Sequence, residues 1–462
     1  MNKEHDFKRH TVAFGREGDA LSLDTLEPYC DRKEFDIQID AIARAILQFK
    51  NTQGGNDKVE LLMYVHGALN SPKGARKRAK CEFRKILSDG KYPIFVNWDA
   101  GMFGAYAEYL FNVRQGRKVR WSGWITSPFY LAYDLTHAIA KLPLTWGYQF
   151  KNRFVGATGL GTFDRNATWV NQQIRKIFVQ RGDVEGVIRI SSEPDRDIRS
   201  TGEKILVAAI IILMSIPRLV ISPILASAGT NAWNIYKRRT YNLFRKPDEF
   251  DVRKERKRNA SVFQAVRRTG DFAYFLDSLI SRLGGGIVGS DSSGEKRRDA
   301  VNQHFSISLV GHSTGAIVLN NLITEYPDLE YSNIVYMGAA CTIRDMYRTV
   351  IPYMLRSSQT RFYVLALDPK AELRESFGLP VLPTGSLLEW LDVYFTSPPQ
   401  NLDRMLGKWV NLMATQHIFP REIRQRVTLK RFRYRVKGQP QKHGEFDDFH
   451  NFHSEEYWSE LS

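Results

Sequence analysis

Residues 307–319 read Ile307-Ser308-Leu309-Val310-Gly311-His312-Ser313-Thr314-Gly315-Ala316-Ile317-Val318-Leu319. The pattern predicts a buried strand, a tight turn and a helix in direct succession. Gly311 and Gly315 let the backbone bend sharply without a Cβ clash, and Ser313 lies at the tip of the turn. This G-x-S-x-G arrangement is typical of a nucleophilic serine, because the helix that follows points its first N–H groups at a developing oxyanion. The pentapeptide alone is weak evidence, since a glycine-rich turn can carry an idle serine. The flanking strand and helix strengthen it.

Predicted strands and helices also alternate in the sequence on both sides of this turn. The C-terminal third alternates short apolar runs with helical patterns, which we predict as strands at 306–310, 333–337 and 362–367 and helices at 314–326 and 343–355. The N-terminal part predicts strands at 61–65 and 93–98 around a helix at 72–88. Strands joined by helices at this spacing predict an α/β fold with a mostly parallel sheet and helices on both faces.

Near the C-terminus, arginines alternate with apolar residues over 431–436. A period of two predicts a half-exposed strand at an edge of the sheet.

The region between these two parts has a different character. Residues 101–299 are rich in aromatic residues, apolar runs and basic clusters, and Gly284-Gly285-Gly286 with the stretch Ser290–Gly294 indicate a flexible linker at their end. We therefore predict three regions: 1–100 as the first part of the core, 101–299 as a large, mainly helical insertion, and 300–462 as the second part of the core.

A second segment favours acyl chemistry. The apolar strand Leu61–Val65 runs into His66-Gly67-Ala68, where a glycine allows close backbone approach. We expect the backbone N–H groups of Ala68 and Thr314 to form an oxyanion hole. The alternative is that His66 is a packed histidine and Gly67 ends the strand.

A nucleophilic serine needs a base, and the base needs an orienting acid. Asp368 follows the predicted strand 362–367 directly, and Asp345 is the alternative acid. His443 lies in a loop beyond the last predicted strand and is the preferred base. The other late histidines remain alternatives: His417, His450 and His453. We interpret His312, the neighbour of the nucleophile, as a packing residue.

His66-Gly67, the Gly311–Gly315 turn, Asp368 and His443 together resemble the alpha/beta-hydrolase superfamily. The segment Val65–Pro72 is similar to bacterial hydrolase families of unknown function, and the resemblance covers roughly 55–100 and 300–460. It implies the alpha/beta-hydrolase fold and a Ser-His-Asp triad, but no substrate. The middle third departs from the common pattern, because the lids of this superfamily are much shorter.

Composition adds information on partners. The net charge is +16, which favours an anionic partner. Ile205–Ala228 holds one charged residue but is interrupted by Pro217 and Pro223, and basic clusters follow it at 237–258. An apolar segment followed by basic clusters favours binding to an anionic membrane surface. The sequence shows no zinc-finger, RNP or helix-turn-helix signature, which argues against nucleic acid.

The remaining sequence features suggest the cellular compartment. Three widely spaced cysteines and a polar N-terminus without an apolar core indicate a cytoplasmic chain, which we place at the inner face of the membrane. No metal or cofactor is expected, and the oligomeric state stays open.

The expected function is a serine hydrolase that cleaves carboxylic esters, with lipid esters at a membrane surface as the preferred substrate class. The alternatives are a soluble esterase or thioesterase whose insertion is a lid, and a membrane-associated scaffold with an idle triad.

Overall fold

The structure is a computed structural model. It describes residues 6–53, 58–67, 72–101, 103–114, 117–118, 122–143, 145–147, 189–191, 216–245, 269–376, 384–396, 400–448 and 451–459. Four of the predictions lie wholly or partly outside these residues: the oxyanion donor Ala68, the alternative base His450, the apolar stretch before residue 216 and the basic residues at 246–258.

Nine strands of the described chain form one sheet, and two short strands form a hairpin. The strands are β1 Thr11–Phe14, β2 Ala20–Leu21, β3 Val59–Val65, β4 Lys91–Trp98, β5 Val113–Arg114, β6 Arg117–Lys118, β7 Arg189–Ser191, β8 Phe305–His312, β9 Tyr331–Met337, β10 Arg361–Leu367 and β11 Val427–Phe432. The sheet order is β2-β1-β4-β3-β8-β9-β10-β11-β7, and β5 pairs with β6.

The helices flank this sheet. They are α1 Arg32–Thr52, α2 Pro72–Ser88, α3 Phe103–Phe111, α4 Ser122–Ala140, α5 Ile216–Asn242, α6 Asp271–Val288, α7 Gly294–His304, α8 Gly315–Glu325, α9 Ile343–Arg356, α10 Pro369–Arg374, α11 Leu387–Trp390, α12 Trp409–Thr415, α13 Arg421–Arg424 and α14 Glu455–Ser459. A π-helical turn, Leu391–Phe395, follows α11 directly.

The sheet is mostly parallel. Strand β3 pairs in parallel with β4 and β8, β1 with β4, and β11 with β10 and β7, whereas the β1–β2 pair is antiparallel. The central strands are continuous apolar runs because both of their faces are buried. The predicted α/β class with a mostly parallel sheet is therefore confirmed.

In the β3–β8 pair, Val65 lies opposite Gly311. The carboxyl ends of these two strands therefore lie at the same edge of the sheet. This edge is where ligands bind in open parallel sheets.

The chain packs as two compact units. One comprises Met1–Gly123, Asn234–Gly311 and Ile317–Ile334, and the other comprises Trp124–Trp233, His312–Ala316 and Val335–Ser462. Helix α6, which the sequence analysis assigned to the insertion, packs on α1 and on α7 in the first unit. The second unit contains the serine turn and the C-terminal segments.

Two local predictions were wrong. The last strand, β11, ends at Phe432, is buried throughout and lies between β10 and β7, so it is not a half-exposed edge strand over 431–436. The glycines 284–286 lie inside α6 and do not form a linker. A Cβ on Gly284 would lie 2.4 Å from the carbonyl oxygen of Arg297. Glycine is needed there because α6 and α7 approach closely.

The basic residues at 237–239 also differ from expectation. Arg239 is fully buried and its Nη2 atom lies 2.7 Å from Oε2 of Glu108, while Arg238 is buried beside Glu108 and Glu17. Buried charges need partners of opposite sign, and these partners hold α5 against α3. Arg238 and Arg239 are therefore unavailable to a membrane surface.

None of the described helices is both long enough and apolar enough to cross a lipid bilayer.

Candidate active site

The strand-to-helix turn at Ser313 is strained and firmly held. Strand β8 ends at His312 and α8 begins at Gly315, as the sequence predicts. Ser313 has a φ of +54°, in the left-handed region that non-glycine residues rarely occupy. Its N–H donates to the carbonyl oxygen of Met337 at 2.8 Å, and its own carbonyl accepts from the N–H groups of Ala316 and Ala340. Such strain persists where the surroundings over-determine it, and it clusters at functional sites.

The side chain of Ser313 contacts one of the late histidines. The Nε2 atom of His443 lies 2.8 Å from Oγ of Ser313, and both residues are buried. The pKa of His443 is lowered to about 3. Burial is the main cause and the neighbouring His312 also lowers this pKa, whereas Asp447 raises it. His443 is therefore neutral at neutral pH and can accept the hydroxyl proton, with its own proton on Nδ1.

Two buried side chains hold the backbone of His443. Its N–H donates to Oε2 of Glu375 at 2.9 Å. Its carbonyl oxygen lies 2.8 Å from Nε2 of His312, which must carry the proton because a carbonyl can only accept. The Nδ1 atom of His312 lies 3.3 Å from Oδ2 of Asp447. His443 is thereby held by the residue that directly precedes Ser313.

Gly338, at the end of β9, shapes the pocket of the imidazole. Its φ is +51°, and a Cβ on it would lie 3.1 Å from Nδ1 of His443 and 2.9 Å from Cε2 of Phe446. Both the backbone conformation and the close approach require glycine here.

Asp368 follows β10 as predicted, but it does not hold the imidazole. Its carboxylate caps α10, accepting from the N–H of Lys370 at 2.8 Å, and lies 3.7 Å from Nη1 of Arg431. Among the described residues, Nδ1 of His443 has no hydrogen-bond partner. The expected Asp368–His443 hydrogen bond is therefore not formed, because Pro369 starts a helix whose free N–H groups attract the carboxylate.

The alternative acid, Asp345, is also engaged elsewhere. It forms a capping box with Thr342 at the start of α9 and is exposed. It therefore acts as a helix cap.

The remaining predicted residues are placed as follows. His443, rather than the alternatives His417 and His453, is the described late histidine that bonds to Ser313. Thr314 is buried directly before the first turn of α8. His66 is a packed histidine: its Nε2 accepts from the N–H of Trp98 at 3.1 Å.

Sequence reasoning missed three residues of this cluster. His312 was assigned to packing only, and neither Asp447 nor Glu375 was considered. His312 carried one usable signal, its position beside the nucleophile. Glu375 and Asp447 have no such signal, because they approach His443 only through the fold.

Among the described residues, no group of three or more histidine, cysteine, aspartate or glutamate side chains is arranged to hold a metal ion. Comparison of the chain with protein-family models, with curated proteins and with solved structures finds no match.

Proposed function

We propose that this chain is a serine hydrolase with an alpha/beta-hydrolase fold that cleaves carboxylic esters. Ser313 is the nucleophile and His443 is the general base. The observation that carries the proposal is the 2.8 Å contact between Oγ of Ser313 and Nε2 of His443 on a strained strand-to-helix turn. The parallel sheet, with the turn at its carboxyl edge, supports the fold assignment.

In the proposed reaction, Oγ of Ser313 attacks the carbonyl carbon of the ester while Nε2 of His443 takes the hydroxyl proton. The tetrahedral intermediate collapses to an acyl-enzyme, and His443 gives its proton to the departing alkoxide. Water then attacks the acyl group with His443 again as base, and the acid leaves. The N–H of Thr314, at the start of α8, is the proposed oxyanion donor.

The positive charge that the imidazole of His443 gains during the reaction must be stabilised, because the site is buried. When His443 is protonated it becomes a cation at a place that burial makes unfavourable. Asp447 is the carboxylate that offsets this cost, because its charge raises the pKa of His443. We assign to Asp447 the electrostatic role that the sequence analysis gave to Asp368, although Asp447 acts from beyond His312 without touching Nδ1.

Labelling with a fluorophosphonate probe tests the proposal. The wild-type chain is expected to react covalently at Ser313, and Ser313→Ala is expected not to react. A panel of esters of increasing acyl length then defines the substrate class, with short esters favouring a soluble esterase and long ones a lipase. Failure of the wild-type chain to react would instead support a scaffold with an idle serine.

A further inference from the structure

Helix α4 exposes most of its large apolar side chains and buries two of its polar ones, Ser127 and Asp134. Trp124 is 69% exposed and Phe129 is 75% exposed, and further large apolar side chains are exposed along the same helix. They are Ile125, Leu131, Tyr133, Leu135 and Ile139. Ser127, Asp134 and Ala138 are buried instead and form one stripe at helical spacing. This order is the reverse of that in a helix on the surface of a water-soluble domain.

The buried stripe packs on α5 through small and polar side chains. Nδ2 of Asn231 donates to Oδ1 of Asp134 at 2.9 Å, and the hydroxyl of Ser227 donates to the carbonyl oxygen of Asp134. Helices that pack in contact with lipid use the same arrangement, in which small and polar residues join the helices and apolar residues face outward.

Basic residues precede α4 in the sequence. Arg114, Arg117, Lys118 and Arg120 lie within a few residues of its start along the chain, and the whole protein carries a net charge of +16. A basic cluster that adjoins an apolar helix in the sequence fits an anionic lipid surface. Two copies of the chain would each carry this net positive charge, so self-association through this face is opposed by charge.

Aromatic residues on this face fit the same occupant. Trp124 and Tyr133 have polar tips on apolar rings, which is the chemistry favoured at the boundary between lipid headgroups and acyl chains. A helix with a buried polar stripe and an exposed apolar face fits one that lies in the plane of the interface.

We propose that the apolar face of α4 is a docking surface for an anionic phospholipid membrane. This surface differs from the one expected from the sequence, of which Arg238 and Arg239 are buried. The inference is independent of the chemistry of Ser313.

The test is flotation of the full chain with phosphatidylcholine vesicles that contain or lack phosphatidylserine. The wild-type chain is expected to float with the anionic vesicles at low salt. Trp124→Ser combined with Phe129→Ser should weaken partition about tenfold or more, because two large apolar side chains no longer enter the interface. Ile37→Ser removes an apolar side chain that is 65% exposed on α1 and should float like the wild type.

Two results would overturn the docking surface: a wild-type chain that stays unbound, or a double variant that floats as well as the wild type. A self-associated wild-type chain that the double variant converts to monomers would also overturn it, in favour of a second copy as occupant. Unfolding temperatures confirm that the double variant is folded. If fluorophosphonate fails to label even the wild type while flotation follows the expectation, the proposed hydrolase function fails and the docking surface stands.

Discussion

Nε2 of His312 lies 2.8 Å from the carbonyl oxygen of His443, so the residue that precedes Ser313 holds the backbone of the histidine that Ser313 contacts. Both residues are buried, and Nδ1 of His312 lies 3.3 Å from Asp447 on the far side of the ring. His312 thereby links the two residues: it is joined to Ser313 along the chain, and its ring is hydrogen-bonded to the carbonyl oxygen of His443. This link keeps Oγ of Ser313 and Nε2 of His443 at hydrogen-bond distance.

Replacing either member of the Ser313–His443 pair should remove ester hydrolysis. Ser313→Ala and His443→Ala are each expected to lower kcat/KM by about a thousandfold or more, because the two groups act as one unit. His417→Ala, which alters an exposed histidine, is the control and should retain activity. Retention of activity by His443→Ala, together with its loss in His453→Ala or His450→Ala, would show that another histidine is the base.

His312 should matter through the hydrogen bond that it donates. His312→Leu removes the donor and is expected to lower kcat by about a hundredfold, because a shift of about 1 Å in His443 is enough for such a loss. His312→Gln places an amide N–H near the same position and should recover part of kcat. Equal activities of the Leu and Gln variants, with equal unfolding temperatures, would mean that His312 only fills space.

The pH dependence of kcat/KM should reflect the low pKa of His443. Because burial lowers this pKa to about 3 from 6.5, the base stays neutral on acidification and the acid limb should lie well below pH 6.5. Asp447→Asn removes the charge that raises this pKa, so the limb should move to still lower pH and the plateau should fall. Asp448→Asn, at an exposed neighbouring position, is the control. An acid limb near pH 6.5 in the wild type would contradict the assignment.

Gly338→Ala should displace His443 as well as strain the backbone. The added Cβ would press on His443 and Phe446, and the left-handed φ adds about 1–2 kcal/mol of strain. Gly90→Ala provides the matched control, since Gly90 has a φ of +78° and an added Cβ would meet nothing within 4 Å. Gly338→Ala should lose at least as much stability as Gly90→Ala in chemical unfolding, because the close contacts add to the strain, and only Gly338→Ala should lose activity.

The ion pair between Arg239 and Glu108 should be structural. Glu108→Gln leaves the buried guanidinium of Arg239 without its carboxylate partner and is expected to lower the free energy of unfolding by about 3–5 kcal/mol. Glu330→Gln breaks the exposed Lys58–Glu330 pair and should change it by no more than about 1 kcal/mol. Equal effects of the two variants in denaturant titration would contradict the buried role of Arg239.

Local pattern predicted the elements that surround the serine turn. The strand before Ser313 is buried over nearly its whole length and glycines flank the bend, so strand, turn and helix follow from short-range sterics and burial. The same holds for β3, β9 and β10 and for the helices that join them. In the C-terminal loop, the preference for His443 came from chain order, and its contact with Ser313 in the structure agrees with that order.

Tertiary structure decided what each charge does. The carboxylate of Asp368 follows the predicted strand, yet Pro369 and the N-terminus of α10 attract it away from the imidazole. Asp447, Glu375 and His312 act on His443 only because the fold brings distant segments together. Likewise, Arg239 is a buried partner of Glu108, and α4 turns its polar stripe inward. The sequence by itself determined the local elements, because they depend on steric preference and on the period of apolar residues. It could not determine which groups these charged side chains and this apolar face contact, because those contacts depend on the packing of segments that are distant in the sequence.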